Sequence, residues 1–114
     1  MNFKNKFSLK NRVEESSRIL LKYPDRVPII CEKNNRYSGM ELEKKKYLIN
    51  KDVTIGNFLF YIRKNLLINE YTALFLLIGD VIPPNNSPMG VLYDAYRDMD
   101  GYLYITYSFE NTFG

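Results

Sequence analysis

Residues 22–33 read KYPDRVPIICEK, and the architecture follows from this stretch. Pro24 ends a helix predicted over residues 9–23, because the residue before a proline avoids helical backbone angles. After it, the alternate side chains of Val27, Ile29 and Cys31 are all apolar, which predicts a strand over residues 27–33. We therefore expect the chain to pass from an N-terminal helix directly into a sheet strand, on which Ile30 points outward, away from the core.

The rest of the sequence alternates between strand and helix patterns, and their order indicates the fold. The first two strands are close enough in sequence to form a hairpin, and a helix then crosses the sheet. This order predicts an α+β fold of the β-grasp type, with one helix packed on a mixed four-stranded sheet. The predicted strands lie at residues 46–49, 73–78 and 102–107, and the predicted helices at residues 54–67 and 89–97.

Four segments carry more local expectations. The apolar run at residues 73–78 has the length and composition of a buried strand. Residues 34–40 form a loop by composition, and residues 1–8 form a short helix or a loose arm with two aromatic side chains. Residues 108–114 are polar and end the sequence, and we expect the stretch at residues 108–112 not to pack on the domain.

The composition allows one domain and argues against several classes of protein. With 114 residues, 46% of them hydrophobic, the chain can fold without a metal or a disulfide. It has no histidine and one cysteine, Cys31, so it lacks the usual general base, an activated thiol pair and a zinc ligand set. We therefore expect no enzyme activity, no metal and no other cofactor.

Charge is distributed unevenly along the chain. Residues 1–65 contain 15 basic and 7 acidic residues, whereas residues 66–114 contain 1 and 6. This asymmetry indicates an oriented molecule whose basic side meets an acidic partner, although charge also clusters by chance on solvated faces. A basic nucleic-acid-binding module with stacking aromatics is the alternative. Many of the aromatics fall at core-facing positions, so we expect no nucleic-acid partner.

Several motifs resemble those of one known family, in the same order along the chain. Residues 22–28, KYPDRVP, are similar to a signature of the autophagy ubiquitin-like modifier family, which includes the GABARAP and microtubule-associated light-chain types. The resemblance extends from about Leu9 to Gly114 without large gaps. Further similar motifs are EKKKYL at 43–48, DVTIGNF at 52–58, VIPP at 81–84, MGxLY at 89–93 and LYIxYS at 103–108.

The resemblance implies a ubiquitin-like fold with added N-terminal helices. Residues 1–24 would be the helical extension and residues 25–114 the ubiquitin-like domain with its conjugation tail, in one compact unit. Ubiquitin-like activating and conjugating enzymes would pass Gly114 to phosphatidylethanolamine, and a cysteine protease would process or deconjugate the product. The expected location is the cytoplasm and, after lipidation, the membrane of the autophagosome or a related organelle.

The resemblance also implies a peptide-binding groove beside the strand at residues 46–49. The expected ligand is an acidic segment of a cargo receptor that adds a strand and carries an aromatic, two spacers and a branched aliphatic. Arg26, Lys44 and Lys46 would meet its acidic residues. The first pocket would be formed by Glu15, Ile19, Pro28, Ile30, Lys46, Leu48 and Tyr102, and the second by Tyr47, Val53, Phe58, Tyr61 and Ile62.

A few positions differ from the family pattern. Tyr102 stands where phenylalanine is common, Tyr61 replaces an aliphatic in the second pocket, and Asn65 replaces a common arginine. These differences predict a ligand preference distinct from that of better-known members. A further family surface, for ubiquitin-interacting-type helices, would fall at residues 74–78, where we expect only a buried strand.

Overall fold

The computed structural model describes residues 2–34 and 39–111. Within those residues every predicted helix and strand is present, and the segment at residues 1–8 contains a short helix. The sequence-based expectation for the element order is therefore confirmed. The elements are α1 Phe3–Lys6, α2 Leu9–Lys22, β1 Arg26–Lys33, β2 Lys46–Asn50, α3 Ile55–Leu66, β3 Thr72–Leu77, α4 Met89–Tyr96 and β4 Leu103–Asn111.

The four strands form one mixed sheet in the order β2-β1-β4-β3. β1 and β2 form the predicted antiparallel hairpin, in which Pro28 lies opposite Leu48. β1 and β4 run parallel at the centre, and β3 pairs antiparallel with β4 at the far edge. This arrangement, with α3 on one face, confirms the predicted ubiquitin-like β-grasp preceded by N-terminal helices.

Helix α3 packs on the sheet through a stripe of buried side chains. Its N-cap is Thr54, whose hydroxyl accepts a hydrogen bond from the Asn57 N–H at 3.2 Å. Val27, Ile29 and Cys31 of β1 belong to the same core as this stripe. The residues that α3 buries against the sheet are Ile55, Phe58, Ile62 and Leu66.

The opposite face of the sheet is covered by the N-terminal helices. Ile30 points away from the main core, as predicted. Its side chain is nevertheless fully buried and not exposed on the surface. It forms a second apolar cluster with Phe3 of α1 and Tyr102, against which Tyr104 packs. The pattern of β1 alone could not show this, because the covering residue comes from another part of the chain.

Two predictions about the far edge of the sheet are wrong. The strand β4 continues to Asn111, with Ser108 buried and Phe109 packed on the core, so residues 108–111 are not an unpacked tail. Antiparallel pairing with β3 holds these residues in the sheet. β3 itself is an edge strand whose burial alternates, so it is not buried on both faces. Residues 35–38 of the predicted loop, and residues 112–114 with Gly114, lie outside the described residues.

The end of α3 contains one strained residue. Leu67 adopts left-handed backbone angles, with φ of 53°, and its side chain is 82% exposed. A left-handed conformation costs a non-glycine residue about 1–2 kcal/mol, whereas an exposed leucine contributes little packing. Leu67→Gly should therefore raise the free energy of unfolding by about 0.5–1 kcal/mol, after allowing for the greater freedom of glycine in the unfolded chain.

Denaturant unfolding of the parent and of this variant would measure the change. Leu21→Gly is the matched control, because Leu21 is also exposed, at 85%, but lies within the regular helix α2. A glycine there should lower the free energy of unfolding. A loss of stability in both variants would mean that Leu67 is not strained.

Candidate peptide-binding groove

An open groove of about 350 Å³ runs between β2 and α3. It brings together four of the five residues predicted for the second pocket, namely Tyr47, Val53, Phe58 and Tyr61. The fifth, Ile62, is fully buried in the core and does not reach the groove. The remaining wall is formed by Lys44, Leu48, Ile49, Asn50 and Asn57.

Three aromatic rings shape this groove. The Tyr47 ring meets Phe58 edge-on at 5.3 Å between centroids and Tyr61 at 6.0 Å, while Phe58 and Tyr61 stack at 6.5 Å. The Tyr47 hydroxyl donates a hydrogen bond to the Lys44 carbonyl at 2.8 Å, and burial raises the pKa of Tyr47, so it stays neutral. The Lys44 ammonium lies 5.2 Å from the Tyr47 ring centroid. The groove therefore has a largely apolar lining and a cation at its rim.

The residues predicted for the first pocket also lie together, and we call their location the first site. An ion pair between Lys46 and Glu15 closes this site. Pro28 and Ile30 face Leu48 and Lys46 across the hairpin. The Lys46 ammonium bonds to Glu15 of α2 at 3.0 Å. Pro28, Ile30 and Tyr102 are almost entirely buried, whereas Ile19 is half-buried on α2.

Glu15 is the electrostatic centre of this closed site. Its Oε1 accepts hydrogen bonds from both the Lys46 ammonium and the Tyr102 hydroxyl. Partial burial alone would raise the pKa of Glu15, but these two hydrogen bonds, together with the positive charges of Lys46 and Arg18, outweigh it and hold that pKa below its ordinary value. Burial and the Glu15 carboxylate both raise the pKa of Tyr102. At neutral pH the site therefore contains a carboxylate, an ammonium and a neutral phenol.

The rim of the groove is basic and lies along a sheet edge. β2 is the outermost strand of the described sheet, so one side of its backbone has no neighbouring strand there. Lys44 and Lys46 are exposed at one end of β2, and Arg26 is exposed opposite Asn50 at the other. An extended acidic segment could pair with this edge while its charges meet the rim.

Comparison with known proteins identifies the family. The family described as autophagy protein Atg8, ubiquitin like, matches residues 11–114. The chain belongs to the Atg8 family. It is therefore an autophagy ubiquitin-like modifier.

Relatives match the chain over nearly its whole length. Autophagy-related protein 8 of Schizosaccharomyces pombe is 46% identical over 112 residues, which are 98% of this chain and 93% of the relative. The protein of the same name from Mycosarcoma maydis is 44% identical over 112 residues, which are 98% and 95% of the two chains.

Two solved structures of Atg8 proteins have the same fold. Trypanosoma brucei ATG8 is 35% identical, with a TM-score of 0.89 over 100% of this chain and 98% of that one. Plasmodium falciparum Atg8, in complex with a Plasmodium falciparum Atg3 peptide, is 33% identical, with a TM-score of 0.86 over 95% of each chain.

Two residues beside the first site of this Atg8-family chain were missed by sequence reasoning. Phe3 is only 6% exposed and packs against the floor of that site. Its spacing of four from Phe7, in a polar segment, was the available signal. Asp100 is fully buried and accepts hydrogen bonds from Arg12 at 2.6 Å and from Tyr104 at 2.5 Å. No local pattern marks Asp100, since an aspartate in a loop is ordinarily exposed.

A second apolar groove, of about 300 Å³, lies between α3, β3 and the loop after β3. Leu74, Phe75 and Leu76 contribute to its lining, together with Ile82. Leu74 and Leu76 line this groove although they also belong to the buried core.

Neither a membrane span nor a metal site is found in the described ranges of this Atg8-family chain. None of the helices within residues 2–34 and 39–111 combines the length and the apolar character needed to cross a bilayer. The same residues contain no group of three His, Cys, Asp or Glu side chains placed to hold a metal ion.

Proposed function

We propose that this chain is joined through Gly114 to phosphatidylethanolamine and then binds acidic aromatic-x-x-aliphatic peptides along β2. Residues 1–24 serve as the helical extension of a ubiquitin-like domain at residues 25–114. The protein acts as an adaptor rather than an enzyme, in the cytoplasm and on the autophagosome or a related membrane. The observation that carries the peptide-binding proposal is a largely apolar groove with a basic rim beside β2, one side of which has no neighbouring strand within the described residues.

The partners follow from the conjugation cycle and from the groove. Ubiquitin-like activating and conjugating enzymes attach the lipid, and a cysteine protease processes or removes the modifier. Cargo receptors bring the chain to their cargo through acidic motifs. The peptide complex of Plasmodium falciparum Atg8 supports peptide recognition by this fold, and the Atg3 origin of that peptide supports contact with the conjugation machinery.

The edge of β2 provides backbone recognition for such a peptide. A segment added beside β2 forms main-chain hydrogen bonds that do not depend on its side chains. Specificity then comes from the side chains that point toward the protein. Leu48 lies at the centre of β2 and belongs to both assigned regions, since it lines the open groove and faces Pro28 across the hairpin.

The two anchors enter sites of different character. The aliphatic anchor fills the open groove among Tyr47, Val53 and Phe58, where its burial stabilises the complex by about 1.5–3 kcal/mol. The aromatic anchor enters the closed site and displaces Lys46 from Glu15, so part of its larger burial offsets that separation. Lys46 is then available to an acidic residue of the peptide. After the cost of ordering the peptide, we expect a Kd of about 1 μM.

Leu48→Ala should weaken binding of an acidic aromatic-x-x-aliphatic peptide by about tenfold or more, because it removes the wall between the two anchors. Leu48 is only half-buried, so the free energy of unfolding should change little. Isothermal titration calorimetry would give the two affinities, and denaturant unfolding would give the stabilities.

Leu21→Ala is the matched control for this experiment. Leu21 lies on α2 with its side chain 85% exposed and is not part of the groove, so its truncation should leave the affinity unchanged. Equal affinity of the parent and Leu48→Ala would place the peptide elsewhere and contradict the proposed groove.

A further inference from the structure

Tyr102 is held from several sides although it lies in the wall of a binding site. Its ring meets Phe3 edge-on at 5.3 Å and Tyr104 at 6.4 Å between centroids. Its hydroxyl donates to Glu15, and its backbone N–H donates to Asp100 Oδ1 at 2.9 Å. The side chain therefore has little room to change rotamer while these neighbours stay in place.

The neighbour that can leave is Phe3, because it belongs to the short helix α1. A few contacts fix this helix to the domain. The Phe3 N–H donates to Glu32 Oε2 at 2.9 Å, and the Lys4 ammonium bonds to Asp98 at 2.7 Å. Lys4 and Asp98 are partly exposed, so water and salt weaken this ion pair. A helix of one turn has little stability of its own, so α1 depends on the packing of Phe3 to stay in place.

Phe3 also touches the first site at two further points. It shares a buried cluster with Ile30, which lies opposite Lys46 in the hairpin. The Lys46 ammonium lies 6.0 Å from the Phe3 ring centroid. Three residues assigned to the first site, Ile30, Lys46 and Tyr102, therefore have Phe3 as a neighbour.

We propose that Phe3 positions the wall of the first site, so that docking of α1 and binding of the aromatic anchor are thermodynamically coupled. This inference rests on the proposed peptide-binding function. Phe3 is a positioning residue, since it acts through Tyr102. With Phe3 in place, the hydrogen bond from the Tyr102 hydroxyl keeps the Glu15 carboxylate in the position from which the ligand displaces Lys46. Without Phe3, a gap opens beside the Tyr102 ring, and the wall and the Glu15 carboxylate lose their fixed positions.

The coupling should appear as a difference between two peptides. Phe3→Ala should weaken binding of the acidic aromatic-x-x-aliphatic peptide by about fivefold. It should not change binding of the same peptide with alanine in place of the aromatic, because that peptide does not use the first site. Phe3→Leu should recover most of the affinity, since leucine refills much of the space beside Tyr102.

The matched control is Phe7→Ala on the same segment. The Phe7 ring lies 5.0 Å from Phe3, but its side chain is 37% exposed. Its truncation leaves the Phe3–Tyr102 contact in place, so it should change the affinity for the aromatic peptide by less than twofold. Thermal unfolding of each variant would establish that the domain stays folded, as expected for a change in a peripheral helix.

Linkage requires the reverse effect as well. Saturation with the aromatic peptide should slow hydrogen exchange at the Phe7 amide, which bonds to the Phe3 carbonyl at 3.1 Å, by about fivefold. The peptide that lacks the aromatic should leave this rate unchanged. A role of Phe3 in stability alone would not produce this difference between the two peptides.

Each contrary outcome has a distinct meaning. Equal weakening of both peptides by Phe3→Ala, or no weakening at all, would overturn the coupling while leaving the groove intact. Tighter binding by Phe3→Ala would also overturn it and would mean that Phe3 competes with the ligand. Failure of the parent chain to bind the aromatic peptide would instead overturn the proposed function, and this inference with it.

Discussion

A chain that lacks Gly114 should fold as the parent does and should fail completely to become attached to phosphatidylethanolamine. The family resemblance implies that the carboxyl group of Gly114 is activated and that its acyl group is then transferred to the amine of the lipid. Gly114→Ala should fail as well, because a side chain would crowd the approach of the adenylated or thioester-bound residue. The sheet is described as far as Asn111 and this part does not include Gly114, so we expect both variants to keep it.

The measurement uses the chain ending at Gly114, activating and conjugating enzymes, ATP and liposomes that contain phosphatidylethanolamine. Mass spectrometry would detect the lipid adduct, and denaturant unfolding would compare the stabilities of the variants. Thr112→Ala is the matched tail control and should be conjugated normally. Conjugation of the deletion variant at the rate of the parent would contradict the assignment of Gly114.

The helices and most strands could be predicted from the sequence because local signals define them. Pro24 ends α2, Thr54 caps α3, and the core stripe of α3 repeats at helical spacing. The extent of β4 could not be predicted in this way. The sequence of its last residues is mostly polar and carries no strand pattern. These residues form a strand because β3 pairs with them, for example Phe75 with Ser108.

The binding groove could be predicted only in part, and for a similar reason. The family resemblance predicted that Tyr47, Val53, Phe58 and Tyr61 share a pocket, and the structure places them in one groove. They did not show that the first site is closed by an ion pair between residues 15 and 46, or that Phe3 packs behind it. These contacts join distant parts of the chain, and side-chain periodicity reports only near neighbours.

The same long-range packing explains a large loss of stability that we expect from Gly101→Ala. Gly101 has φ of +91°, which a residue with a side chain adopts only with strain. A Cβ atom there would overlap Ser16 Oγ and lie 2.9 Å from Ser16 Cβ. Ser16 cannot easily move, because it is buried and its hydroxyl donates to the Asp100 carbonyl at 2.5 Å.

The loop cannot easily move away from α2 either. The Asp100 carboxylate is fully buried and bonds to the Arg12 guanidinium at 2.6 Å, so a shift of the loop would weaken a buried ion pair. Backbone strain of about 1–2 kcal/mol and overpacking of about 1–3 kcal/mol should therefore add. We expect Gly101→Ala to lower the free energy of unfolding by about 3 kcal/mol, as measured by denaturant unfolding.

Gly79→Ala separates the two causes. Gly79 also has a positive φ, of +59°, but an added Cβ would meet nothing within 4 Å, so only the backbone strain of about 1 kcal/mol should remain. Combining Gly101→Ala with Ser16→Gly should be less destabilising than the sum of the two single changes, because the clash disappears while the strained φ stays. Two results would show that close packing of α2 on this loop is not the reason for a glycine at position 101. One is strict additivity of the stability changes of Gly101→Ala and Ser16→Gly, and the other is an equal loss of stability in Gly79→Ala and Gly101→Ala.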